Sequence, residues 1–129
     1  MKSIPLLLLP LLLAHGLILA GSGMEAPWFT ATLPSGAAFA LSGGTALTAI
    51  GLLCLCAEVF KASSATRASL LDHALSLAVF VVLLLEFLLW PAAGHPVFLL
   101  LLIMALVDVI AGFAVGLAVA RRDVGIIRE

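Results

Sequence analysis

The sequence predicts an all-α integral membrane protein, a single transmembrane domain folded as a four-helix bundle with its N-terminus and C-terminus in the cytoplasm. Three observations predict it. The 129 residues are 64% hydrophobic and only 10% charged, a mixture outside the range of water-soluble domains. Four apolar stretches are separated by charge and Pro/Gly clusters, at about residues 4–20, 36–60, 70–90 and 97–120. At about 1.5 Å per residue these reach roughly 25 to 37 Å, which brackets a hydrocarbon core of about 30 Å. Finally, all six Lys and Arg residues fall on the side that four alternating spans would place in the cytoplasm.

Helices are the reading for each stretch because backbone hydrogen bonds in lipid must close within the segment. The first stretch opens at Met1-Lys2-Ser3, and Pro5 and Pro10 are expected to bend or loosen it. Its end, Ala20-Gly21-Ser22, also fits a signal-peptide cleavage site. The reading adopted is a retained helix, since the apolar run extends to Ala20. Ser35, after Pro34, is the expected cap of the second helix. Ser69-Leu70-Leu71-Asp72 reads as a capping box opening the third helix, and Pro96 fits the first turn of the fourth. The connection over residues 91–96 is then a tight hairpin.

Charge placement sets the orientation. Lys2 precedes the first span, Lys61 and Arg67 lie between the second and third, and Arg121, Arg122 and Arg128 follow the fourth. The two opposite connections, residues 21–36 and 91–96, hold no Lys or Arg, and Trp28 and Trp90 fall on that side at interfacial depth. The formal net charge of −1 leaves no basic surface for nucleic acid.

Polar residues within the spans are the candidate functional residues, since each costs roughly 3 kcal/mol to insert. Asp108 lies at the middle of the fourth stretch, followed at four-residue steps by Gly112, Gly116 and Ala120. Small residues at that spacing admit a neighbouring helix, so Asp108 is expected to face one. The second stretch offers a matching row, Gly36, Ala40, Gly44 and Thr48, and with Thr45 and Ser42 it is expected to hydrogen-bond Asp108. Gly36, Ala40, Gly44, Gly112 and Gly116 are thus the expected helix-packing positions, and close packing is favoured over any catalytic use. Glu86, one turn before Trp90, shares its depth with His15 on the first helix, so the two meet if those helices are neighbours. Asp108, Glu86, His15, Thr45 and Thr48 together form the expected intramembrane polar network.

The remaining polar groups have plainer readings. Glu58 and Lys61 anchor the cytoplasmic end of the second helix. Asp72 is explained by capping and the helix dipole, His73 by placement at the interface, and His95 has no companion suggesting a metal. Cys54 and Cys56 point roughly 200° apart on a helix and read as packing residues. No metal or other cofactor is expected. An enzyme is not expected either, because no Ser/His/Asp set, paired aspartates or zinc signature is seen at a common depth.

Three segments, Ser69-Leu70-Leu71-Asp72-His73-Ala74-Leu75-Ser76, Glu86-Phe87-Leu88-Leu89 and Met104-Ala105-Leu106-Val107-Asp108-Val109-Ile110-Ala111-Gly112-Phe113, resemble those of an uncharacterised family of short four-span proteobacterial inner-membrane proteins. The resemblance covers roughly residues 60–123. It implies the topology and a bacterial inner membrane, and no activity, cofactor or substrate. The small multidrug resistance transporters also have four short spans, but they carry a carboxylate inside the first span, where this chain has His15, and their dual insertion needs a weaker Lys/Arg bias. The functional expectation is a non-enzymatic accessory or assembly subunit of a membrane complex, or a homo-oligomer. The partners are then the bilayer and another membrane protein or a second copy. The alternative is a proton-coupled carrier of a small solute that uses Asp108 and Glu86.

Overall fold

The computed structural model describes residues 4–63 and 70–126. Its elements in chain order are α1 (Leu8–Leu19), β1 (Pro27–Thr32), β2 (Ala38–Ser42), α2 (Gly43–Ser63), α3 (Leu70–Leu89), a 3-10 turn (Pro91–Ala93) and α4 (Pro96–Ile126). Among the described residues, α2, α3 and α4 are long and apolar enough to cross a membrane, and α1, at 12 residues, is shorter. The chain is mostly helical and, by length and composition, suited to a membrane. Ser69, the expected partner of Asp72 in a capping box, lies outside the described residues, as do Lys2, Arg67 and Arg128.

The prolines of the first stretch start α1 rather than bending it. Pro5 accepts the N–H of Leu8 at 3.1 Å in the turn before the helix. Pro10 is the third helical residue, where its missing N–H is one that no intrahelical carbonyl would have met. At the far end Gly21 adopts φ +65°. Gly21 N–H donates to Ile18 at 3.1 Å and Ser22 N–H to Leu17 at 3.2 Å, a Schellman closure that uses the left-handed freedom of glycine.

The largest departure from the expected spans is the start of the second one. Residues 36–42 are not helical, because they belong to an antiparallel hairpin in which Thr30 pairs with Ala40, Ala31 with Phe39 and Thr32 with Ala38. The turn has Gly36 N–H donating to Leu33 at 2.8 Å, with Gly36 at φ +82°. Pro34 and Ser35 fill the two central positions and glycine takes the left-handed one that follows. Gly36 and Ala40 are therefore a turn residue and a strand residue, and neither packs helices. Ser35 caps nothing. That role falls to Ser42, whose Oγ accepts the N–H of Thr45 at 3.2 Å at the first turn of α2.

The helices assemble around α4, which packs on α2 along one side and α3 along the other, with α1 laid against α2. Helices α2 and α4 run parallel from the hairpin end. Gly44 faces Val97, Gly51 faces Leu101 and Met104, and Glu58 shares a cavity with Asp108. Residues 44, 51 and 58 are seven apart, the spacing that stays on one seam with about 20° of drift. The row read at four-residue steps drifts off that seam. Helices α1 and α3 run the other way. Leu7 just before α1, Leu11 and Ala14 of α1, Leu47 of α2, Val79 and Leu83 of α3, and Phe98, Leu101, Met104 and Ala105 of α4 form the buried core.

Lipid tails are as apolar as leucine, so this core is held by close contact rather than by escape from solvent. A Cβ added at Gly51 would lie 2.9 Å from Leu101 Cδ2 and 2.9 Å from Met104 Sδ, while one at Gly16 would meet nothing within 4 Å. Gly51→Leu should therefore force α2 and α4 apart and cost about 1–3 kcal/mol, and Gly16→Ala should cost nothing. Thermal unfolding of both variants in lipid nanodiscs checks this; equal melting temperatures would show that the seam is not where the structure places it.

Candidate functional site

Polar side chains from three helices converge at the end of the bundle away from the hairpin. Glu58 and Lys61 of α2, Asp72, His73 and Ser76 of α3, and Asp108 of α4 line one cavity of about 40 Å³. That volume exceeds the roughly 10–15 Å³ a single water requires. Glu58 is five residues from the end of α2 and Ser76 six from the start of α3, so the cavity lies about 8 to 9 Å inside those helix ends at 1.5 Å per residue. Asp108 is thus not at mid-depth among its neighbours, because α4 continues past the ends of α2 and α3.

Each group has an assigned environment. Glu58 is 5% exposed and Asp108 7%. Glu58 accepts from Lys61 Nζ at 3.1 Å through Oε2, and through Oε1 from the N–H of Leu6. It therefore joins the start of α1 to α2. Asp108 is hydrogen-bonded by Ser76, with Glu58, Lys61 and His73 within electrostatic reach. The His73 ring lies where a side chain on Gly112 would be, 2.6 Å from that position through Nδ1, and stacks on Phe113 at 5.9 Å. Its Nε2 is buried with no hydrogen-bond partner among the described residues. Gly112 is therefore small to admit an imidazole as well as a helix, and Gly116, one turn on, is half-buried.

A serine, a histidine and two aspartates do share a depth here, contrary to the sequence reading. The Ser76 hydroxyl is hydrogen-bonded to Asp108. The arrangement suits holding water and distributing charge across helix contacts. Among the described residues no group of three or more His, Cys, Asp or Glu side chains has metal-site geometry.

The expected bond from Thr48, Thr45 and Ser42 to Asp108 is absent from the geometry. Because α2 begins at Gly43 instead of residue 36, Thr48 sits in its second turn, more than two turns short of Glu58. Thr48 Oγ1 donates to the Gly44 carbonyl at 2.9 Å, and Thr45 bonds Ser42. Both threonines line a cleft of about 360 Å³ at the hairpin end, with Glu25 and His95. His95 pairs with Glu25, its Nε2 2.8 Å from Glu25 Oε1, while its Nδ1 accepts the Val97 N–H at 3.2 Å and caps α4.

His15 and Glu86 are brought together. His15 Nε2 lies 3.1 Å from Glu86 Oε1, and the ring stacks on Trp90 at 5.3 Å. Trp90 in turn meets Phe98 edge-on at 6.5 Å. Between this pair and the cavity around Asp108 stands the apolar layer of Leu11, Leu83, Leu101, Met104 and Ala105. No family model, curated protein or solved structure matches the chain.

Glu58 offers the sharpest test of the cavity. Glu58→Ala should strand the Leu6 amide, and an unmet buried donor costs about 1–3 kcal/mol. Glu58→Gln keeps an acceptor for that amide and should recover much of the loss. Chemical unfolding of the two variants in the same nanodiscs measures the difference, and equal destabilisation would contradict the Leu6 contact.

Proposed function

We propose that the chain is a non-enzymatic four-span protein of the bacterial inner membrane that works by assembly, as an accessory subunit of a membrane complex or as a homo-oligomer. The observation that carries this reading is the hairpin. An isolated two-stranded ribbon is marginal by itself, and this one has no charged residue and leaves Phe29 and Phe39 exposed at 56% and 41%. Phe29 pairs with Leu41 and Phe39 with Ala31, which puts these four side chains on one face. Uncharged edges and an apolar face are features that monomeric surfaces usually suppress.

The four-span topology is part of the proposal. Helix α1 leads from Leu6 beside Glu58 to Leu17 beside Gly43, so it passes most of the length of α2 despite its 12 residues. The Lys/Arg pattern then puts the cavity around Asp108 toward the cytoplasm and the hairpin outside. In whole cells, with Cys54 and Cys56 replaced by alanine, a membrane-impermeant thiol reagent should label Ser35→Cys and leave Arg122→Cys untouched until the cells are opened. Labelling of Arg122→Cys from outside would sink the orientation.

A second reading, a proton-coupled carrier, is favoured by the cavity around Asp108, but the residues packed beside it are apolar, where a carrier needs a polar lining. Native mass measurement after gentle extraction separates the two. Assembly predicts a mass above the 13.3 kDa of one chain, reduced to a single chain by Phe29→Ser with Phe39→Ser. A strict monomer that moves a solute in proteoliposomes, with flux lost in Asp108→Asn, would support the carrier instead.

A further inference from the structure

A hydrogen bond needs one hydrogen and one lone pair, and His15 is placed so that the hydrogens can be counted. Its Nδ1 is 2.8 Å from the Leu11 carbonyl oxygen. A carbonyl only accepts, so Nδ1 bears a hydrogen. Nε2, on the other edge of the ring, is 3.1 Å from Glu86 Oε1. A neutral imidazole with its hydrogen on Nδ1 offers only a lone pair at Nε2, and a carboxylate offers only lone pairs. Two acceptors do not hold each other at that distance.

A hydrogen must therefore lie between them, as an imidazolium facing a carboxylate or as a neutral imidazole facing a carboxylic acid. Both forms carry the same number of protons. We propose that His15 and Glu86 form a proton-binding site within the bundle, which holds one exchangeable proton between α1 and α3 and gives up one of the two His15 ring contacts when that proton leaves. Without that proton the ring has one hydrogen for two acceptors, so either the Leu11 or the Glu86 contact must yield.

Among the described residues the surroundings supply no substitute. The second Glu86 oxygen, Oε2, is buried with no hydrogen-bond partner among the described residues. From α3 and α4, Asp72, His73 and Asp108 lie at the far cavity, as do Glu58 and Lys61 of α2. The thiols of Cys54 and Cys56 lie within about a turn of Glu58 on α2. Glu25 and His95, at the hairpin end, are engaged with each other at 2.8 Å. Trp90 stacks on the His15 ring with 23° between planes, and an aromatic face accepts an imidazolium as readily as a neutral ring. His95 shows the contrast. Its Nδ1 accepts from Val97, which leaves the hydrogen on Nε2 for Glu25, so a neutral ring satisfies both bonds and no extra proton is needed. The assignment to His15 and Glu86 stands apart from the assembly reading and from any transport.

The experiment uses the full chain in nanodiscs with nitrogen-15 histidine, read by NMR across pH, with infrared detection of protonated carboxyl groups and proton release measured on the same samples. Glu86→Gln is the comparison, because its amide can donate to Nε2 and a neutral ring then suffices. The expected result is a His15 ring with hydrogen on Nδ1 and either an imidazolium or a carboxylic acid at Glu86. One proton per chain is released that Glu86→Gln does not release, and Trp90 fluorescence, read in a Trp28→Phe background, changes in the same transition. A His15 ring with hydrogen on Nε2 alone before any proton is released would overturn the proposal. So would equal release from both proteins, or a Trp90 signal unmoved after the proton has gone.

Discussion

A polar side chain placed in lipid has no solvent to fall back on, so every one in this bundle must be met by another part of the same chain or carry its cost. That constraint sorts the ionisable residues into two levels. Near the hairpin end His15 meets Glu86, and near the other end Glu58, Lys61, Asp72, His73, Ser76 and Asp108 gather around one small cavity. Everything between is apolar, and the layer of Leu11, Leu83, Leu101, Met104 and Ala105 is closely packed. Helix α4 makes this possible because it is the shared neighbour of α2 and α3. Its polar residue is met from both sides, by the Ser76 hydroxyl of α3 and by the charge of Lys61 of α2 within electrostatic reach.

The glycines follow from the same constraint. Where lipid offers no hydrophobic drive, helices gain contact only by approaching closely. Gly44 and Gly51 let Val97, Leu101 and Met104 seat against the backbone of α2, and Gly112 makes room for the His73 ring. Small residues thus serve contacts inside one chain, which removes them as evidence for an external helix partner. The case for assembly moves to the hairpin, where Phe29 and Phe39 have no such seat.

Much of the helical frame was legible, since long apolar runs and their bounding charges are gross features that survive any local irregularity. Residues 70–90 became Leu70–Leu89, and residues 97–120 lie within Pro96–Ile126. The hairpin was not legible by the same means. Phe29, Ala31, Phe39 and Leu41 alternate with Thr30, Thr32, Ala38 and Ala40, but in a chain this apolar a two-residue period is hidden under hydrophobicity of every phase. The Pro34-Ser35-Gly36 turn is the available signal, and a serine after proline ahead of an apolar run fits a helix start as well. That shift of seven residues, about 10 Å along a helix, lifted Thr48 to a false mid-depth and matched it with Asp108. The cavity was missed for another reason. Glu58, Asp72 and His73 each had a sufficient local explanation as anchor, cap or interface residue, and only three-dimensional packing shows that the three converge.

Helix α1 is the element on which the two polar levels act together. It is too short to owe its place to length, and its core residues Leu11 and Ala14 fix which face it buries but resist sliding weakly, since leucine exchanges for lipid at little cost. Its position along the bundle is set by directional bonds at the two ends. The Leu6 amide is held by Glu58 of α2, and the His15 ring by Glu86 of α3. The first bond uses a backbone N–H that is always present; the second needs a proton that can leave. One end of α1 therefore rests on a bond that no proton can remove, and the other on ring contacts that share a removable one.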